Sequence, residues 1–90
     1  MALEIRYTSQ FKKDLKRIRT QPKDLDKLKA VLDLLVQEIE LPEKNRDHNL
    51  IGIWLGYKEC HVSPDLLLIY KVSEGELSLA RVGTHSQLFR

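Results

Sequence analysis

A single cysteine, Cys60, leaves this chain of 90 residues without an internal disulfide, so it is not a scaffold stapled by oxidation. Cys-x-x-Cys and His-x-x-x-His spacings are missing, and although imidazoles and carboxylates are the usual zinc ligands, neither a metal nor any other cofactor is expected. No Gly-x-Ser-x-Gly elbow occurs, which argues against serine-nucleophile chemistry of the hydrolase kind. No apolar run approaches the ~20 residues that cross a bilayer, so no membrane association is expected. The opening MALEIRYTSQ has no basic start, long apolar centre or small-residue cleavage site, which makes the cytoplasm the expected location. Proline and glycine are sparse, with 3 and 4 residues, and no linker, repeat or low-complexity stretch interrupts the sequence. A single domain spanning residues 1–90 is the expectation.

What is present is unevenly spread. Residues 1–29 carry nine Lys or Arg against four Asp or Glu, a balance of +5, whereas the rest carries six against nine, a balance of −3. A basic segment attracts phosphate backbones, suits an acidic protein partner, or serves solubility alone.

Leu3–Tyr7 alternates apolar and polar residues as a half-buried strand does. Thr8 or Ser9 can cap a following helix, on which Phe11, Leu15 and Ile18 recur at helical spacing up to about Thr20. Its other faces bear Lys12, Lys13 and Lys16 among further basic residues. Pro22 suits the first turn of a second helix, since its fixed backbone angle is helical and no amide hydrogen is needed there. Leu25, Leu28, Leu32, Leu35 and Ile39 give that helix a core-facing stripe widened by Val31 and Val36. LPEKNRDHN reads as a loop delivering His48 to the next element. Strands are predicted near Leu50–Trp54, Tyr57–Val62, Leu66–Val72 and Leu77–Val82, with turns at Ser63-Pro64-Asp65 and Ser73-Glu74-Gly75-Glu76. The terminal HSQLF reads as a turn folding back on the sheet. The order predicts an α+β domain in which a two-helix hairpin covers one face of a small antiparallel sheet and leaves the other at least partly open.

On the strand through Lys58–Ser63, alternation puts Cys60 and Val62 on one side and Glu59 and His61 on the other. If the first pair faces the helices, His61 faces the open side, and Asp65 follows just past a turn set by Pro64. Arg81, between core-directed Ala80 and Val82, is expected to project away from the helices; His48 precedes one strand and His85 follows the last. Five groups, His48, His61, Asp65, Arg81 and His85, can therefore meet on one hollow. Singly, each has an ordinary explanation: a hydrogen-bonded structural histidine, a turn aspartate, an Arg81–Glu59 ion pair. Cys60 reads as a core residue, and Trp54, Tyr57 and Phe89 as packing.

Taken together, DHNLIGIWLGYKECHVSPDLLLIYKV, the later RVGTHSQLF and the N-terminal YTSQFKKDLKRI resemble the RelE superfamily of bacterial toxins, in its YafQ-like branch. The resemblance implies a RelE-like fold and an endoribonuclease that cuts messenger RNA in the ribosomal A site and is restrained by a cognate antitoxin. It implies a metal-independent reaction in which a ribose 2′-hydroxyl attacks the adjacent phosphate. By motif position the catalytic residues fall on His48, His61, Asp65 and His85, with Phe89 near the scissile bond and Arg81 on the phosphate. Asp65 or His48 serves as base, His85 as acid, and His61 and Arg81 stabilise charge. Lys58 stands where an Arg is common and Leu66 where some members carry an aromatic; the first weakens bidentate phosphate binding, the second removes a stacking surface. Lys12, Lys13 and Lys16 become contacts for ribosomal RNA. Toxins that share the fold but lack the histidines act by binding a protein such as DNA gyrase, which is the alternative reading.

Overall fold

The computed structural model describes residues 2–89. Strand β1 (Glu4–Tyr7) leads into helix α1 (Ser9–Ile18) and helix α2 (Pro22–Val36); β2 (His48–Asn49), β3 (Lys58–Ser63), β4 (Leu66–Ser73) and β5 (Glu76–Gly83) follow, and α3 (His85–Leu88) closes the described chain. The five strands form one sheet in the order β1-β5-β4-β3-β2.

Local chemistry explains both helix starts. Thr8 Oγ1 accepts from the Phe11 amide at 3.0 Å and donates to the Ala80 carbonyl at 2.9 Å, so one hydroxyl caps α1 and ties it to β5. Pro22 occupies the first turn of α2, as its sequence position predicts. The helix stops at Val36, before the end of the apolar stripe, and Ile39 lies 48% exposed.

The hairpin of α1 and α2 packs on one sheet face, where Phe11, Ile18, Leu28, Val31 and Leu35 meet Cys60, Val62, Leu68, Tyr70, Leu77, Leu79 and Val82. Burial on this face supplies the main driving force, because apolar area leaves water there on both the helix and the sheet side. Cys60 is inside it, as expected, and its thiol is pushed up to about 12 by burial first and by Asp47 and Glu59 next. The thiolate is the reactive form, so the native chain should resist alkylation at pH 8 and label readily in denaturant; fast native labelling would contradict the packing.

The α+β class holds, with the helix hairpin on one face of a mostly antiparallel sheet; its one parallel pair is β1 with β5, where Glu4 stands opposite Glu76 and Tyr7 opposite Leu79. Two expectations are corrected. A strand at Leu50–Trp54 does not form: β2 is only His48–Asn49, and Gly52–Trp54 is a single 3-10 turn. Gly52 has φ of +71°, a left-handed conformation that breaks strand geometry. HSQLF contains the one-turn helix α3 rather than a plain turn, closed by a capping box between Thr84 and Gln87.

The second sheet face is partly covered as well. Leu67, Ile69, Ala80 and Leu88 make a smaller core, joined by Leu50, Trp54, Tyr57 and Phe89. Trp54 and Tyr57 meet edge to face at 5.3 Å. What remains open is the stretch over β2 and β3, along which His48 and His61 lie. Among the described residues no helix is long and apolar enough to cross a membrane.

Candidate active site

Strand β3 carries the centre of the site. Its Cys60 and Val62 point into the helix-side core, so Glu59 and His61 point to the other face, as alternation requires. Across the sheet, His48 stands opposite Glu59, and Glu59 opposite Ile69. This register brings two imidazoles to one carboxylate: Glu59 Oε1 is 3.4 Å from His48 Nε2 and 3.9 Å from His61 Nε2. The Glu59 side chain is 9% exposed, the His61 ring 25% and the His48 ring 49%, which grades the cluster from interior to solvent. A carboxylate so placed can orient both rings.

Two side chains hold the loop that delivers His48. Asn45, buried at the end of the 3-10 turn Glu43–Asn45, donates to the His61 carbonyl at 2.7 Å. Asp47 accepts from the Tyr70 hydroxyl and from Lys58 Nζ at 3.0 Å. Tyr70 faces the helix-side core, and its hydroxyl is pushed far above the ordinary phenol range by burial and by Asp47. It therefore stays a donor. With Asp47 fixed on that side, His48 emerges on the other, and its Nδ1 lies 2.7 Å from the Arg46 carbonyl. A carbonyl only accepts, so Nδ1 carries the hydrogen and Nε2 is the nitrogen turned to Glu59.

His85 opens α3, and its ring lies 5.1 Å from that of Phe89. The capping box holds this turn through Gln87 N to Thr84 Oγ1 at 3.3 Å and Thr84 N to Gln87 Oε1 at 2.9 Å. Gly83 makes the close fit possible, because a Cβ there would come within 2.8 Å of Gln87 Oε1. Leu88 anchors the turn on the same sheet face as Glu59 and His61. Gly83, Leu67 and His61 are neighbours in one row, so β5 and β3 are separated by two strand spacings, or ~10 Å.

The remaining sequence candidates divide. Asp65 is exposed in the Pro64–Asp65 turn after β3. Lys58 turns toward Asp47 and Tyr70, on the side away from the histidines. Lys12, Lys13 and Lys16 are exposed on α1. Arg81 differs from expectation: its guanidinium does not project freely away from the helices but is bound by Asp14 of α1, with Nε to Oδ2 at 2.8 Å and Nη2 to Oδ1 at 3.1 Å. It does not pair with Glu59. Glu59 and Asp14 are thus the site residues that sequence reasoning missed. The signal for Glu59 was its two-residue spacing from His61 on one strand; Asp14 offered only an acidic residue at an apolar position of the helical repeat.

A cleft of about 640 Å³ adjoins His61 between α2 and β3, bordered by Lys27, Lys44 and Arg46. A smaller hollow of about 420 Å³ borders Phe89, Leu88, Trp54 and Leu50. Among the described residues no group of three or more His, Cys, Asp or Glu side chains is arranged to hold a metal ion.

Comparison with known proteins matches this architecture. The chain is 42% identical over 87 residues to the mRNA interferase toxin YafQ of Escherichia coli K12, covering 96% of this chain and 95% of that protein. The crystal structure of YafQ from E. coli BL21(DE3) superposes with a TM-score of 0.90 at 40% identity, over 98% of this chain and 99% of that one. The toxin in the E. coli DinJ–YafQ toxin–antitoxin complex superposes with a TM-score of 0.89 at 41% identity, over the full length of both chains. A family model described as bacterial toxin of type II toxin-antitoxin system, YafQ, matches residues 3–90, and the chain belongs to that family.

Proposed function

We propose that this protein is an mRNA-cleaving toxin of a type II toxin–antitoxin pair, acting on the ribosome by attack of a ribose 2′-hydroxyl on the adjacent phosphate. The observation that carries the reading is the pair of imidazoles on the Glu59 carboxylate, on the sheet face where α3 presents His85 and Phe89. It is supported by the mRNA interferase name of the 42% identical E. coli protein. Intramolecular attack needs a base for the 2′ proton, an acid for the leaving 5′ oxygen and positive charge for the phosphorane. Histidine suits either proton role because its unperturbed pKa is ~6.5. His48 Nε2 or the exposed Asp65 takes the 2′ proton, His85 protonates the 5′ oxygen, His61 and Arg81 meet the phosphate, and the Phe89 ring flanks the scissile nucleotide. No proton or charge role in this sequence of events requires a metal.

The cleft rim of Lys27, Lys44 and Arg46 next to His61 gives an RNA strand a cationic approach. Lys12, Lys13 and Lys16 extend the positive surface to ribosomal RNA, while Lys58, a candidate phosphate contact by sequence, is paired with Asp47 and steadies the loop that delivers His48. The cognate partner is an antitoxin, by analogy with the DinJ–YafQ assembly.

Mapping RNA ends after induction tests the reading. Cuts within translated codons, leaving 5′-hydroxyl ends, are expected; growth arrest without any cut would favour a toxin that binds a protein target instead. A second prediction concerns α1. Reversing the charge of Lys12, Lys13 and Lys16 should weaken ribosome binding and flatten its salt dependence, since each lost phosphate contact lowers the slope of log affinity against log salt by about 0.7–0.9. Thermal unfolding should be little changed, because all three side chains are exposed. Binding that stays the same across salt would return these lysines to plain solvation.

A further inference from the structure

The free edge of β5 beyond its pairing with β1 is where Asp14 enters the structure. Pairing ends at Tyr7 opposite Leu79, and α1 turns in beside the remaining residues of the strand. Asp14 is fully buried there. It accepts from the Val82 amide at 3.2 Å, from Gln10 Nε2 at 3.2 Å and from two nitrogens of Arg81. Burial alone would push its carboxyl up, but the bonds from Arg81, Val82 and Gln10 together hold it below the ordinary carboxylate range. It is ionised at neutral pH.

Edge protection alone does not account for this arrangement. A neutral acceptor would satisfy the Val82 amide, whereas a buried ion pair costs desolvation that its attraction only roughly offsets. What the carboxylate adds is a grip on one side of the guanidinium. Arg presents five N–H donors in a rigid fork; Asp14 takes two of them, and the side chain keeps 20% of its surface exposed for the rest. The backbone contributes as well, because the register slips between Ile69 and Tyr70, so that Leu79 faces Tyr70 while Arg81 faces Ile69. A bulge of this kind re-aims a side chain. Arg81, Ile69 and Glu59 then stand in one row across the sheet.

We propose that Asp14 is a positioning residue for RNA cleavage: buried at the junction of α1 and β5, it holds Arg81 side-on and fixes the direction in which the remaining donors meet the transferring phosphate. The proposal rests on the reading of Arg81 as the phosphate contact. It requires that Asp14 act through Arg81 alone, and mostly on the chemical step, because a preset donor stabilises charge that develops only as the phosphorane forms.

The test is single-turnover cleavage of a defined message on programmed bacterial ribosomes, with the full chain, Asp14→Asn, Arg81→Ala and the double variant, at temperatures where each is folded. Asp14→Asn should slow the step at saturating ribosomes by about 10- to 100-fold, the scale of a misplaced catalytic contact, with the half-saturating concentration nearly unchanged. In the Arg81→Ala background it should cause no further loss. Equal loss in both backgrounds, or a change confined to half-saturation, would overturn the positioning role. If Arg81→Ala cleaves normally, the phosphate assignment of Arg81 fails and Asp14 with it; if the unaltered chain does not cleave, the nuclease reading itself fails. Should Asp14→Asn not fold, Asp14→Glu carries the same comparison, since it keeps the charge and displaces the fork by one methylene.

Discussion

Replacing His85 with alanine should lower the rate of message cleavage by about 10²- to 10⁴-fold, the range expected when a general acid is removed. The size follows from what the leaving oxygen needs. A 5′-alkoxide is a poor leaving group, and in its place water must supply the proton from bulk, without the orientation that α3 provides. The fold should survive the change, because His85 is exposed and α3 is held by Leu88 in the smaller core and by the Thr84–Gln87 box. Loss of rate with an unchanged melting curve is therefore the expected pair of results, read by primer extension on translated message and by circular dichroism. A His85→Ala chain that cuts at the normal rate would remove the imidazole from the reaction. Glu59→Gln offers a companion measurement, since it removes the charge shared by His48 and His61 while nearly keeping its shape.

The largest effect on stability should come from Leu68→Ala. Leu68 is fully buried in β4, between Cys60 on β3 and Val82 on β5, and packs in the core under the helix hairpin. Truncation there removes three carbons from a site with neighbours on every side, and such changes cost about 2–5 kcal/mol. For a domain of this size that corresponds to a fall in melting temperature of roughly 10 °C or more. Against a total stability of typically ~5–15 kcal/mol, the loss is a large fraction of what holds the chain folded. A shift under a few degrees would mean that the helix hairpin closes over the gap.

Most of the scaffold was legible because it depends on neighbours in sequence. The Thr8 cap, Pro22 at a helix start, the alternation of Leu3–Tyr7 and the apolar run of β4 each act within a few residues. The side of β3 on which His61 lies followed from alternation alone. What could not be read depends on partners far along the chain or on competition between equal signals. The apolar stretch Leu50–Trp54 reads as a short strand, but Gly52 in a left-handed conformation and the short span to Tyr57 make a tight turn instead. Parallel pairing of β1 with β5 leaves no local trace in either strand.

The site divides along the same line. The histidines stood out by their rarity and by the motifs around them, whereas the groups that hold them did not. Asp14 reaches Arg81 across 67 positions, and Tyr70 reaches Asp47 across 23, so neither pairing has a spacing to recognise. Asp14 lay in a helix face taken as apolar, where only the buried ion pair explains it. Glu59 was weighed as a partner for Arg81, and the register shows why it serves His48 instead: β2 is the strand beside it, while β5 lies two strands away.

The pairing of Glu4 with Glu76 joins segments far apart along the chain. Contacts between such distant positions form late and slowly in folding. The seam between β1 and β5 is therefore a slow step in assembling the sheet, and α3, which departs directly from β5, depends on its closure.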